Sequence, residues 1–261
     1  MKFFNWFGQS NGVILEFDHL DDASTENLIE QVEEVSKYYT PVKLEELAER
    51  VTKKKRLGGA SLVFRNPRKS VLLRAVPYLL DKQFPFTICL RTDCIGVNRL
   101  PPEEEMELFL KKYPGKINSE IHASFLQQCV SNPDAAEAYL KKLRTEAGPI
   151  PLELADPTQF FSTWGKLLEI PKDKVSWGVN LYLSPDKVSQ LENEILFMRQ
   201  LLRASPTVGL IGNLQSKKVP SQTWDEASLQ RISITGCVGT SEGAVTHSSE
   251  WWNLPIWRFS T

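Results

Sequence analysis

Short apolar runs alternate along the chain with segments whose apolar residues recur every three or four positions. Val13-Ile14-Leu15-Glu16-Phe17 is a compact run that predicts a strand, Asp21, Asp22 and Ser24 mark a turn, and Leu28, Val32 and Val35 follow at helical spacing. Leu44, Leu47 and Val51 repeat that spacing, with Gly58-Gly59 expected to end the helix before a strand at 61–64. Asn66-Pro67 supplies a helix cap and a proline at the first helical position, leading into Val71, Ala75 and Leu79 on one face and then a strand at 86–90. Residues 101–148 break the rhythm: they predict two or three short amphipathic helices, opened by Pro101-Pro102-Glu103 and Asn132-Pro133-Asp134, and read as an insertion. The alternation returns with a strand at 175–179, a helix at 185–203, a strand at 207–211, a helix at 224–232 and a strand at 235–238. Repeated strand and helix predicts an α/β fold with a mostly parallel sheet, and places a ligand site at the C-terminal ends of the strands.

Composition narrows the function. Apolar residues make up 41% of the 261 positions and charged residues 24%, which excludes a disordered or collagen-like chain. With 31 basic against 32 acidic residues, the net charge of -1 argues against a nucleic-acid binder. The run Lys53-Lys54-Lys55-Arg56 reads as a solvated helix end. Cys89, Cys94, Cys129 and Cys237 lack metal-type spacing and are expected to be reduced, with Cys89 and Cys237 serving as small core residues. No stretch approaches a membrane span, and the aromatic start, Phe3-Phe4-Asn5-Trp6-Phe7, is too short for a signal region, so the expected location is cytoplasmic.

From Val13 to Phe259 the chain resembles the polysaccharide deacetylases, the NodB-homology family. The resemblance is most specific over 62–96, where Val63-Phe64-Arg65-Asn66-Pro67, Ala75-Val76-Pro77-Tyr78-Leu79 and Thr92-Asp93-Cys94-Ile95-Gly96 keep the spacing of the family's Thr-Phe-Asp-Asp-Gly, Ala-x-Pro-x-Leu and Thr-Asp-x-Ile-Gly. Leu15-Glu16-Phe17-Asp18-His19-Leu20 and Leu254-Pro255 match its opening and closing strands. The resemblance implies a distorted (β/α)7 barrel, here forming a single domain over 1–261 with a helical insertion at about 101–150.

It also implies a zinc ion held by one Asp and two His, with a second Asp as general base. Each of those positions is changed. The base falls at Arg65, the metal Asp at Asn66, and the two histidines, counted from Thr163-Trp164, at Asn180 and Ser184. No histidine lies between His122 and His247, the third motif becomes Gly209-Leu210-Ile211-Gly212, and the closing Leu-Pro-Arg becomes Leu254-Pro255-Ile256. No metal, no cofactor and no metal-dependent deacetylation are therefore expected.

The expectation is a degenerate deacetylase-like protein that keeps a binding or scaffolding role. Its ligand would be a glycan or small polar molecule contacted by Arg65, Asn66, Asn180, Ser184 and Trp252, with Arg65 pairing with Asp18, with Asp93 or with an anionic ligand group. The alternative is metal-independent acid-base chemistry by Asp18, His19, Arg65 and Asp93; by resemblance, any activity would be hydrolysis of a carbon–nitrogen bond. A protein partner could dock through 101–150 or the aromatic N-terminus. His122 and His247, the latter beside Ser248 and Ser249, are expected to carry no chemistry, and the tryptophans Trp164, Trp177, Trp251, Trp252 and Trp257 are divided between core packing and sugar stacking.

Overall fold

The computed structural model describes residues 10–17, 22–65, 71–91, 100–115, 117–148, 164–181, 188–201, 210–214 and 224–259. Among the described residues, seven strands, β1 (Gly12–Phe17), β2 (Gly59–Arg65), β3 (Phe86–Leu90), β4 (Val175–Leu181), β5 (Leu210–Leu214), β6 (Ile234–Glu242) and β7 (Leu254–Phe259), pair in chain order and all in parallel. β7 pairs with β1, Leu15 opposite Trp257, which closes the sheet into a barrel. The distorted barrel implied by the sequence is therefore the fold, and its irregular seam lies at β6, where the register shifts on both sides.

Strand alternation sorts the barrel into two apolar layers. Val13, Leu15, Phe17, Leu62, Phe64, Phe86, Ile88, Val175, Trp177 and Val179 face outward. They pack under α1 (Asp22–Ser36), α3 (Val76–Asp81), α7 (Trp164–Leu168), α8 (Val188–Leu201) and α9 (Glu226–Arg231). The intervening residues Ile14, Val63, Cys89, Val238, Leu254 and Ile256 face the lumen and form a separate cluster with Leu44, Leu47, Ala48 and Val51 of α2 (Leu44–Thr52). α2 thus plugs the N-terminal end of the barrel. Two glycines allow α2 and the segment leading into it to approach closely: a Cβ at Gly12 would lie 2.7 Å from Leu47 Cδ1 of α2, and one at Gly59 2.7 Å from Val42 Cγ2 just before it.

α2 ends earlier than the glycine pair suggested. Lys54 takes the left-handed conformation at φ 52°, the Lys54 amide donates to the Val51 carbonyl and the Lys55 amide to that of Arg50. This is a Schellman stop built without glycine. Arg50 Nη1 donates to the Leu57 carbonyl at 2.9 Å, which ties the exposed run 53–56 to the helix. Gln83 and Ser233 also have positive φ just after α3 and α9. The helical face expected at Val71, Ala75 and Leu79 is buried, but it begins as a π turn over Val71–Ala75; its expected cap at Asn66 lies outside the described residues.

Among the described residues, three helices stand between β3 and α7: α4 (Pro102–Lys112), α5 (Ser119–Ser131) and α6 (Pro133–Ala147). They share their own core of Met106, Phe109, Ile117, Phe125, Ala136 and Leu140. Asn132 caps α6 as expected, its side chain accepting from the Ala135 amide, and Asn118 caps α5 in the same way through Ile121. Arg144 binds Glu105 through two 2.6 Å hydrogen bonds and Glu137 through one of 3.0 Å, clamping α6 to α4. Among the described residues no helix is long and apolar enough to cross a membrane.

Candidate functional site

The C-terminal ends of the strands form the barrel mouth. On β2 the lumen positions are Ser61, Val63 and Arg65: Ser61 Oγ donates to the Val42 carbonyl at 2.8 Å, Val63 belongs to the apolar plug, and Arg65 ends the strand half-buried. Arg65 stands in register with Cys89 on β3, and the Cys89 carbonyl accepts a 3.2 Å hydrogen bond from Asn180 Nδ2 on β4. Asn180 is fully buried. The backbone of Cys89 therefore lies between two of the residues that the sequence marked for the site. On β5, Asn213 is the register partner of Asn180.

The remaining candidates are placed differently. Asp18, His19, Asn66, Asp93 and Ser184 lie outside the described residues, and with them the expected pairing of Arg65 with Asp18 or Asp93. Trp252 is half-buried and packs on the outer, helix-side cluster together with Trp251 and Trp257, while Trp177 is buried within it. Trp251 Nε1 donates to Glu226 at 3.0 Å. His247 is exposed, and the neighbouring Ser248 and Ser249 hydroxyls bond to Thr246 rather than forming a relay. His122 is half-buried on α5. Cys89 and Cys237 are buried, and burial beside Glu103 pushes the half-buried Cys129 up to about 12, leaving it an unreactive neutral thiol.

Two charged residues were not anticipated. Glu16 is buried in β1 at a lumen position, between the alternating outward residues Leu15 and Phe17, and stands opposite Val63 on one side and Arg258 on the other. The signal was present in the sequence, since it is the one charged residue of its strand. Arg91, immediately after β3, is buried and forms a 2.5 Å ion pair with Glu103 in the first turn of α4. It anchors the three-helix unit to the mouth end of the barrel.

This set does not fit a zinc centre. Arg65 is permanently cationic and has no lone pair to offer, Asn180 is an amide engaged with a backbone carbonyl, and no three His, Cys, Asp or Glu side chains converge among the described residues. What the described mouth offers a polar or anionic group is the half-buried guanidinium of Arg65 at the end of β2.

No protein-family model matches the chain, and no curated protein does. Solved structures match it over nearly its whole length. The deacetylase domain of BpsB from Bordetella bronchiseptica superposes with a TM-score of 0.57 at 10% identity, covering 96% of both chains. The Streptococcus pyogenes deacetylase PplD, solved with acetate, gives 0.55 at 12% identity, covering 95% of this chain and 91% of its own. A de-N-acetylase from Aggregatibacter actinomycetemcomitans gives 0.57 at 10% identity, covering 94% of each. The likeness is one of architecture: the chain has the fold of the polysaccharide deacetylases.

Proposed function

We propose that this protein is a catalytically degenerate member of the deacetylase fold whose mouth binds a sugar-derived ligand carrying a carboxylate or phosphate. The reading rests above all on Arg65, a cation at the mouth end of β2, at the position where the sequence resemblance implies a general-base carboxylate. A guanidinium cannot act as a general base near neutral pH, but it can clamp an oxyanion through two parallel hydrogen bonds. By sequence position, Asn66 and Ser184 add neutral hydrogen-bonding groups of the kind that hold sugar hydroxyls, above Asn180, which braces β3 and β4.

A thermal-shift titration tests this. Uronic acids, sugar phosphates, and acetylated and deacetylated sugars are titrated against the purified protein, since a ligand of the folded state raises its melting temperature with concentration. A dose-dependent rise for an anionic sugar is expected, abolished in Arg65→Ala while circular dichroism shows the fold retained. No rise for any of these ligands, or a rise unchanged in Arg65→Ala, contradicts the reading.

A further inference from the structure

The three-helix unit carries a groove that shares no residue with the barrel mouth. α5 and α6 are joined through the single residue Asn132, which closes the first helix and caps the second. Phe125 and Tyr139 lie equally far before and after that link, so folding α6 back on α5 brings them side by side. Their ring centroids are 5.8 Å apart, with the planes inclined at 47°. On α5, Ile121, Ser124, Phe125 and Gln128 are spaced by three and four residues and therefore share one face. Together with Glu120 and Tyr139 they line an open groove of about 370 Å³, within the roughly 300–1,000 Å³ range of small-molecule sites.

The lining is suited to an organic cation. Phe125 is 2% exposed and backs the groove, while Tyr139 is half-buried and Ile121 is 38% exposed. Aromatic faces carry partial negative charge and attract ammonium groups. Among the described residues Glu120 is the one charged side chain that lines the groove, and it makes no ion pair there. Glu103, Glu105 and Glu137 of the same unit are each held by an arginine. An anionic ligand would meet the Glu120 carboxylate with no cation in the lining to offset it, whereas a cation gains from both the carboxylate and the rings. Ser124 and Gln128 add neutral hydrogen-bonding groups.

We propose that this groove binds a small organic ammonium ion, its charged head between the Tyr139 ring and the Glu120 carboxylate and its apolar part against Ile121 and Phe125. The site selects the opposite charge from the anion assigned to the barrel mouth and does not depend on that reading.

Choline and its neutral isostere 3,3-dimethylbutan-1-ol, which differ at the head in charge rather than shape, are the probes. Each is titrated into the full chain and followed by NMR through the Ile121 methyl groups and the amides of α5 and α6. Choline is expected to shift these signals and to bind about fivefold or more tightly than the alcohol. Glu120 is exposed, so Glu120→Gln keeps the fold; it is expected to bring choline close to the affinity of the alcohol while leaving the alcohol unchanged. Equal binding of the two probes, shifts confined to other elements, or choline binding unchanged in Glu120→Gln overturns the proposal. A lysine-containing peptide that shifts the same signals when choline does not assigns the groove to a protein partner and overturns it as well.

Discussion

Phe64 and Val63 are neighbours in β2, yet they belong to different cores. Phe64 faces outward, stacked on Phe17 at 5.8 Å between centroids and edge-on to Phe86 at 6.1 Å, within the large cluster beneath the helices. Val63 faces the lumen, in the smaller cluster closed by α2. Outward positions of β1 to β4 are apolar almost throughout, whereas the lumen positions include Glu16, Ser61, Arg65, Thr87, Ser176 and Asn180. The outer face supplies most of the burial that stabilises the barrel, and the inner face is where this chain has placed its polar chemistry.

Substitutions should separate the two faces. Phe64→Ala is expected to cost about 3–5 kcal/mol in chemical denaturation, because it removes an aromatic ring from a packed site and leaves a cavity. Val63→Ala, one residue away, should cost about 2 kcal/mol, the transfer value of two buried carbons with a small cavity term. Equal costs would mean that the lumen packs as tightly as the outer layer. Asn180→Ala is expected to cost about 1–2 kcal/mol, since it leaves the buried Cys89 carbonyl without the Asn180 amide that bridges β3 and β4. A neutral result would show that this bridge is not needed to hold the two strands together.

The smallest effect is expected at the plug. The folded-state pKa of Glu45 is raised by burial, so the folded protein holds this proton more tightly than the unfolded chain does. The resulting stability is fully present below the ordinary carboxylate range and is lost as pH rises from there through the folded pKa. Glu45→Gln removes that dependence. At pH 7 it should match or exceed the wild type by about 0.5 kcal/mol or less, with the advantage closing as the pH falls below the usual carboxylate range. Melting temperatures across that span check the sign; a variant that loses stability only at neutral pH would contradict it.

Much of the barrel was legible because its outer face is so consistently apolar. The runs at 13–17, 61–64, 86–90 and 175–179 all became strands within a few residues of their expected bounds. Helix ends were harder to read, because Lys54, Gln83 and Ser233 adopt the left-handed conformation that sequence rules assign to glycine. The strand expected at 207–211 is described as Leu210–Leu214, where Gly212 and Asn213 form a strand by pairing with β4 and β6 rather than by propensity. Arg65 and Asn180 were legible from motif spacing. Glu16, Thr87 and Ser176 were not, since a strand buried on both faces shows no period-two alternation and its lumen residues emerge only when the barrel closes.

In the proposed function, a fixed cation stands at the mouth where the family resemblance implies a general base, beside positions that have lost the implied metal ligands. The most direct test of this reading is the zinc content of the purified protein after equilibrium dialysis against zinc, measured alongside acetate release from N-acetylated glycans. The expected result is far less than one zinc per chain and no metal-dependent acetate. One tightly held zinc per chain, with acetate release that a chelator abolishes and zinc restores, would contradict the account.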